Sequence, residues 1–152
     1  MTMETETAEA ALTMALSIAA RKMRNVFDAR VRAKGLTQAK ARALQYLARH
    51  RNVSQRDLAD HLEIEHPSAV RLLDGLAKQG LIVRLPMEGD RRANRIELTT
   101  ASRELVAELD KITKALRNDL LDGLDHDALA GTLAVLQKIA DRGDALLGGK
   151  TG

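Results

Sequence analysis

The sequence predicts a mainly α chain with one small β-hairpin, and three observations carry that prediction. Apolar residues recur at spacings of three and four over most of the 152 residues. Residues 81–98 break that rhythm, with two short apolar runs flanking a turn that contains Pro86 and Gly89. Gly35, Pro67, Gly80 and Gly123 fall where helical runs stop or start.

Residues up to about Ala8 read as frayed, and a first helix runs from there to about Ala33 through Leu12, Leu16, Ala19, Met23, Val26, Phe27 and Val31. Lys34-Gly35 ends it. Thr37 caps a second helix with Ala41, Leu44, Leu47 and Ala48 on its inner face, closing near His50-Arg51-Asn52. Ser54-Gln55-Arg56-Asp57 has the form of a capping box, with an acid three residues after the hydroxyl. It opens a short helix that buries Leu58, Ala59 and Leu62. After a turn at residues 63–66, Pro67 suits a first helical position, where its missing N–H would be unpaired anyway. That helix reaches about Gln79, buries Val70, Leu73, Leu76 and Ala77, and is terminated by Gly80.

Leu81–Leu85 and Arg95–Leu98 read as strands joined by a long, arginine-rich tip. A long helix follows, with Leu105, Leu109, Ile112, Leu116 and Leu120, and Gly123 breaks it. Asp125 caps a last helix that carries Leu129, Leu133, Leu136 and Ile139.

The centre of the chain therefore has the order of a winged helix-turn-helix, flanked by N- and C-terminal helices whose leucine stripes want a partner. A second copy of the chain is the simplest partner. The expected organisation is residues 1–34 as a dimerisation helix with disordered first residues, 35–99 as a DNA-binding lobe, 100–147 as further dimerisation helices, and 148–152 as a disordered tail.

In a helix-turn-helix the second helix offers its N-terminal side chains to base edges in the major groove. Here those are Pro67, Ser68 and Arg71, with Lys78 further along the same face. An arginine at this place can pair bidentately with guanine. Ser54 and Gln55, opening the preceding helix, are placed for backbone phosphates. The hairpin adds Asp90, Arg91, Arg92 and Arg95. Arginines there suit a narrow minor groove, provided that Asp90 pairs with one of them and stiffens the loop.

Asp90-Arg91-Arg92 followed by Leu98-Thr99 resembles the wing pattern of MarR-type regulators. Ile64 to Arg71 and Gly89 to Ile96 are similar to the SlyA branch of that family, and the likeness extends through Phe27-Asp28-Ala29-Arg30 and Gly35-Leu36-Thr37-Gln38, over roughly residues 12–140. The resemblance implies a homodimer on double-stranded DNA at a pseudo-palindromic operator. It implies Arg71 and Arg91 as the principal contacts, with Asp90 and Arg92 supporting the wing. Many members release DNA when a small aromatic acid binds, and Arg21 matches a position that holds the ligand carboxylate in relatives. Gln38 and Arg42 depart from the aromatic residues that often line that pocket.

Composition limits the alternatives. Apolar residues make up 45% of the chain, enough for a core, but the only aromatics are Phe27 and Tyr46, so that core must be aliphatic. The absence of cysteine excludes disulfides, thiol chemistry and thiolate zinc sites. No metal or cofactor site is expected: His61-x-Glu63 cannot complete a zinc deaminase signature without cysteines, and Gly149-Lys150-Thr151 lacks the earlier glycine and the strand of a phosphate loop. No nucleophile–base pair or carboxylate dyad appears, so an enzyme is not expected. An acidic start and an apolar stretch of only residues 10–20 point to a cytoplasmic protein without a membrane segment. A net charge of +3 is compatible with a polyanionic partner without requiring one. The same features fit a second class, an architectural DNA-binding protein with neither operator nor ligand.

Overall fold

The computed structural model describes residues 3–87 and 89–148, without the side chains of residues 3–6 and Arg91. It divides into two compact units, Met1–Leu116 and Arg117–Gly152.

The first unit begins with α1 (Met3–Arg32). This helix starts well before Ala8, so the expected fraying is not found from Met3 onward; glutamates and alanines sustain helical geometry without tertiary support. Next come α2 (Gln38–Arg49), β1 (Val53–Ser54), α3 (Gln55–Leu62) and α4 (His66–Lys78). The strands β2 (Ile82–Met87) and β3 (Asp90–Leu98) follow, and α5 (Ser102–Leu121) runs to and past the end of this unit.

Local chemistry explains most of these boundaries. Thr37 caps α2 by accepting from Lys40 N. Ser54 and Asp57 form a complete capping box on α3. Glu63 takes a left-handed conformation (φ 55°) as the C-cap of α3. Gly80 (φ +73°) follows α4, where a side chain would be strained. Pro67 lies one residue inside α4, because the helix starts at His66 with Glu65 as its cap.

Two expectations about the sheet are corrected. The sheet has three strands rather than two, with β3 between β1 and β2 and both neighbours antiparallel to it. The hairpin is also longer than its apolar runs: β2 continues to Met87, and β3 begins at Asp90, with a bulge at Pro86/Met87. Arg91 and Arg92 therefore belong to a strand, not to a loose tip.

The core lies where α2, α3 and α4 meet the base of the sheet and α5. Leu44, Leu58, Leu73, Leu76 and Leu109 are fully buried there. Burying each such side chain stabilises the fold by about 1.5–3 kcal/mol. Phe27 and Val31, at the end of α1, join the same cluster. Upstream, Leu12, Met14, Ile18, Met23 and Val26 of α1 stay exposed.

The second unit holds the end of α5, a turn with Gly123 at φ +73°, and α6 (His126–Leu146), capped by Asp125 accepting from Ala128 N at 2.9 Å. No residue of α6 is buried. The tail expected to be disordered lies outside the described residues from position 149 on. No helix among the described residues is long and apolar enough to cross a membrane.

Candidate nucleic-acid interface

The face of α4 follows from its pattern. Ala69, Leu73 and Leu76 are buried, with Val70, Leu72 and Ala77 half-buried beside them. The opposite side presents Pro67, Arg71, Asp74 and Lys78 to solvent, with Ser68 half-exposed at its edge. Gly75 does not belong to that face: a Cβ there would come within 3.3 Å of Lys40 Nζ, so the Lys40 side chain of α2 lies over Gly75. Lys40 Nζ also donates to Gln79 Oε1 at 3.0 Å, which fastens the end of α4 to the start of α2.

Arg71 reaches back toward Ser68 Oγ at 3.5 Å, a contact too long to hold it firmly. Its guanidinium therefore stays available. Asp74, one turn on, is a carboxylate on a face that is otherwise cationic. It is neutralised by Arg84 on β2, whose Nη2 lies 2.7 Å from Asp74 Oδ1. This ion pair ties α4 to the hairpin, so helix and wing present one connected surface.

Ser54 Oγ accepts from Asp57 N (3.1 Å) and donates to Asp57 Oδ2 (2.8 Å). Its hydroxyl proton is thus engaged in the capping box, and Ser54 acts mainly by setting the direction of the α3 N-terminus. Gln55 begins α3, with its amide 3.2 Å from His66 Nε2 at the first position of α4. The N-termini of α3 and α4 are thereby brought side by side.

The sequence model of the MarR family matches residues 34–93. The transcriptional regulator PA3341 superposes with a TM-score of 0.81 at 39% identity, over 88% of this chain and 98% of that one. The chain belongs to the MarR family. A MarR regulator of Methanosarcina mazei Go1 shares the fold, with a TM-score of 0.79 at 22% identity over 90% of this chain and 99% of its own. The repressor CouR, in its structure on a 23-mer DNA duplex, has a TM-score of 0.74 at 30% identity, over 85% of this chain and 92% of its own.

In this MarR-family winged helix the wing residues divide into two groups. Asp90 Oδ1 accepts from the backbone N–H of Arg92 at 2.9 Å, so it stiffens the start of β3 through the main chain. The Arg92 side chain is exposed and has no partner among the described residues. The Arg91 side chain lies outside the described residues. Arg95 is not at the tip. It sits opposite Leu85 and Ser54, pairs with Glu97 at 2.8 Å and donates to the carbonyl of Pro86. Both partners turn it to the wing stem, where it braces the hairpin.

Arg21 is exposed on α1 and is paired with no described residue. Among the described residues no cluster of three or more His, Asp or Glu side chains could hold a metal ion. Sequence reasoning missed Arg84. The signal was Asp74, because an acid on the cationic face of α4 requires a nearby counter-charge.

Proposed function

We propose that this MarR-family transcription regulator works as a homodimer on a pseudo-palindromic operator, each α4 reading the major groove of one half-site. The observation that carries the reading is the pair of features around α4: an Arg71 free to reach a base, and an Asp74 whose charge is cancelled by Arg84. A free arginine on the first turns of this helix suits guanine recognition, and the neutralised acid removes a repulsion toward phosphate from the exposed face of α4. Arg92 extends the cationic surface along the wing, and the wing motif implies the same for Arg91. Pro67, Ser68 and Lys78 complete the helix face, while the capped α3 N-terminus with Gln55 suits a backbone phosphate. Arg95 is left out, since its donors serve Glu97 and Pro86.

Dimerisation through the outer helices is supported by the exposed apolar residues of α1 and α6. It would set the half-sites about 34–36 Å apart. Occupancy of such an operator blocks transcription from it, the action that the name of the repressor CouR describes. The motifs at residues 64–71 and 89–96 favour the SlyA-like branch, and Arg21 favours release by a small aromatic acid, which calorimetry with a panel of such acids tests.

The main test is a competition gel shift on an operator selected from random duplexes. Arg71→Ala should relax base preference at one position per half-site by about 1–3 kcal/mol. Arg91→Ala should weaken binding by a similar factor on all sequences and flatten its salt dependence. Wild-type affinity in both variants removes the proposed interface.

A further inference from the structure

A cleft of about 620 Å³ opens between the end of α2, the stem strand β3 and the start of α5. It lies within the first unit and contains no residue of α1, so it is separate from Arg21. Its volume falls in the range of small-molecule sites, roughly 300–1,000 Å³.

The cleft is built of two kinds of surface. Leu47, Ile96, Leu98 and Val106 give an apolar floor, three of them buried and Leu98 half-buried. Arg49, Arg51, Arg95 and Arg103 stand around it. Two of these cations are balanced: Arg49 pairs with Asp110 at 3.0 Å, and Arg95 pairs with Glu97 at 2.8 Å. Those pairs hold their guanidiniums in place along the wall. Arg51 and Arg103 have no hydrogen bond or ion pair among the described residues. The cleft thus carries two uncompensated positive charges over an apolar floor.

We propose that this cleft is a second ligand site, which takes a phosphate monoester carried on an apolar body. A phosphate monoester has a charge of about −1.5 to −2 at neutral pH and several acceptor oxygens, which matches two free guanidiniums better than a single carboxylate does. Guanidinium forks bind such oxygens in pairs. The apolar body covers Leu98, the most accessible of the four apolar residues, and the site sits on the stem of the wing through Arg95 and Glu97.

The test is fluorescence titration of the full chain with 1-naphthyl phosphate, and with inorganic phosphate and 1-naphthoate as comparisons. Saturable binding of 1-naphthyl phosphate is expected, at least tenfold tighter than either comparison. R51A/R103A should weaken it at least tenfold, and R21A should leave it within twofold. Because Arg51 and Arg103 are exposed and make no side-chain hydrogen bond or ion pair among the described residues, the double variant should keep the wild-type melting temperature and, without the naphthyl compound, bind duplex DNA within twofold of wild type. Absence of saturable binding overturns the proposal, as does equal binding of 1-naphthoate or inorganic phosphate. Loss of binding in R21A but not in R51A/R103A places the compound elsewhere and also overturns it. A large fall in DNA affinity with unchanged naphthyl phosphate binding assigns the two arginines to the DNA backbone instead.

Discussion

Asp74 on α4 and Arg84 on β2 meet at 2.7 Å, which makes α4 and the wing one electrostatic unit. Both side chains are substantially solvated, so the pair adds little to stability, at most about 1 kcal/mol. On the proposed reading of α4, its importance is to DNA binding. Arg84→Ala leaves a bare carboxylate on the face proposed to meet DNA. Operator affinity measured by fluorescence anisotropy should fall about tenfold, about 1.4 kcal/mol. Asp74→Ala in the same chain should recover most of that loss. If the double variant binds as weakly as Arg84→Ala alone, the charge of Asp74 is not the cause.

The capping box of α3 gives a prediction about stability. Ser54→Ala removes an N-cap, at a cost of about 1 kcal/mol, or about 2–4 °C in melting temperature for a chain of this length. Asp57→Ala breaks the same box from the other side, because Asp57 Oδ2 accepts from both Ser54 N and Ser54 Oγ at 2.8 Å. The double variant should therefore lose clearly less than the sum of the two. Additive losses in thermal melts would show that the residues act independently.

These two pairs also show what the sequence made legible. Thr37, Ser54 and Asp125 were all readable as caps, because a cap is decided within three residues and its signal is local. The Asp74–Arg84 pair links residues ten apart on different elements, and no local rule reports it. The strand β1 escaped for the same reason: its two residues pair with Ile96 and Arg95, some forty positions away. The wing was read short because Asp90, Arg92 and Asn94 are polar, exposed residues of a hairpin held by its ladder rather than by burial. Arg95 was readable as a basic residue, but its two partners are set by strand register.

His61 predicts an acid-side loss of stability. Its ring stacks on Tyr46 with centroids 4.1 Å apart, while His50 stacks against the same tyrosine at 4.0 Å. Partial burial, then the Arg42 charge and then His50 hold the His61 pKa below its ordinary value of 6.5. The folded protein thus prefers His61 neutral, and below pH 6.5 the unfolded chain binds more protons. This contribution to stability is complete above that value and is lost as the pH falls toward the lowered folded pKa. Denaturant midpoints at neutral and mildly acidic pH should separate less for His61→Gln than for wild type. Equal separation would mean that the ring does not titrate differently on folding.

The last prediction concerns α6, whose Leu133 is 56% exposed and Ile139 39% exposed, with no residue of the helix buried. A solvated helix carrying that much apolar surface needs a partner, and a second copy offers the same stripe by symmetry. Leu133→Glu with Ile139→Glu places charges in such an interface, where removal from water costs far more than it does on a free surface. Light scattering should then give the mass of one chain instead of two. The DNA-binding lobe should stay folded, since its core is built by residues between Phe27 and Leu116. Operator affinity should fall by orders of magnitude while affinity for a single half-site changes little, because only the tethering of two modules is lost. A variant that remains a dimer with full operator affinity would move the interface away from this face of α6.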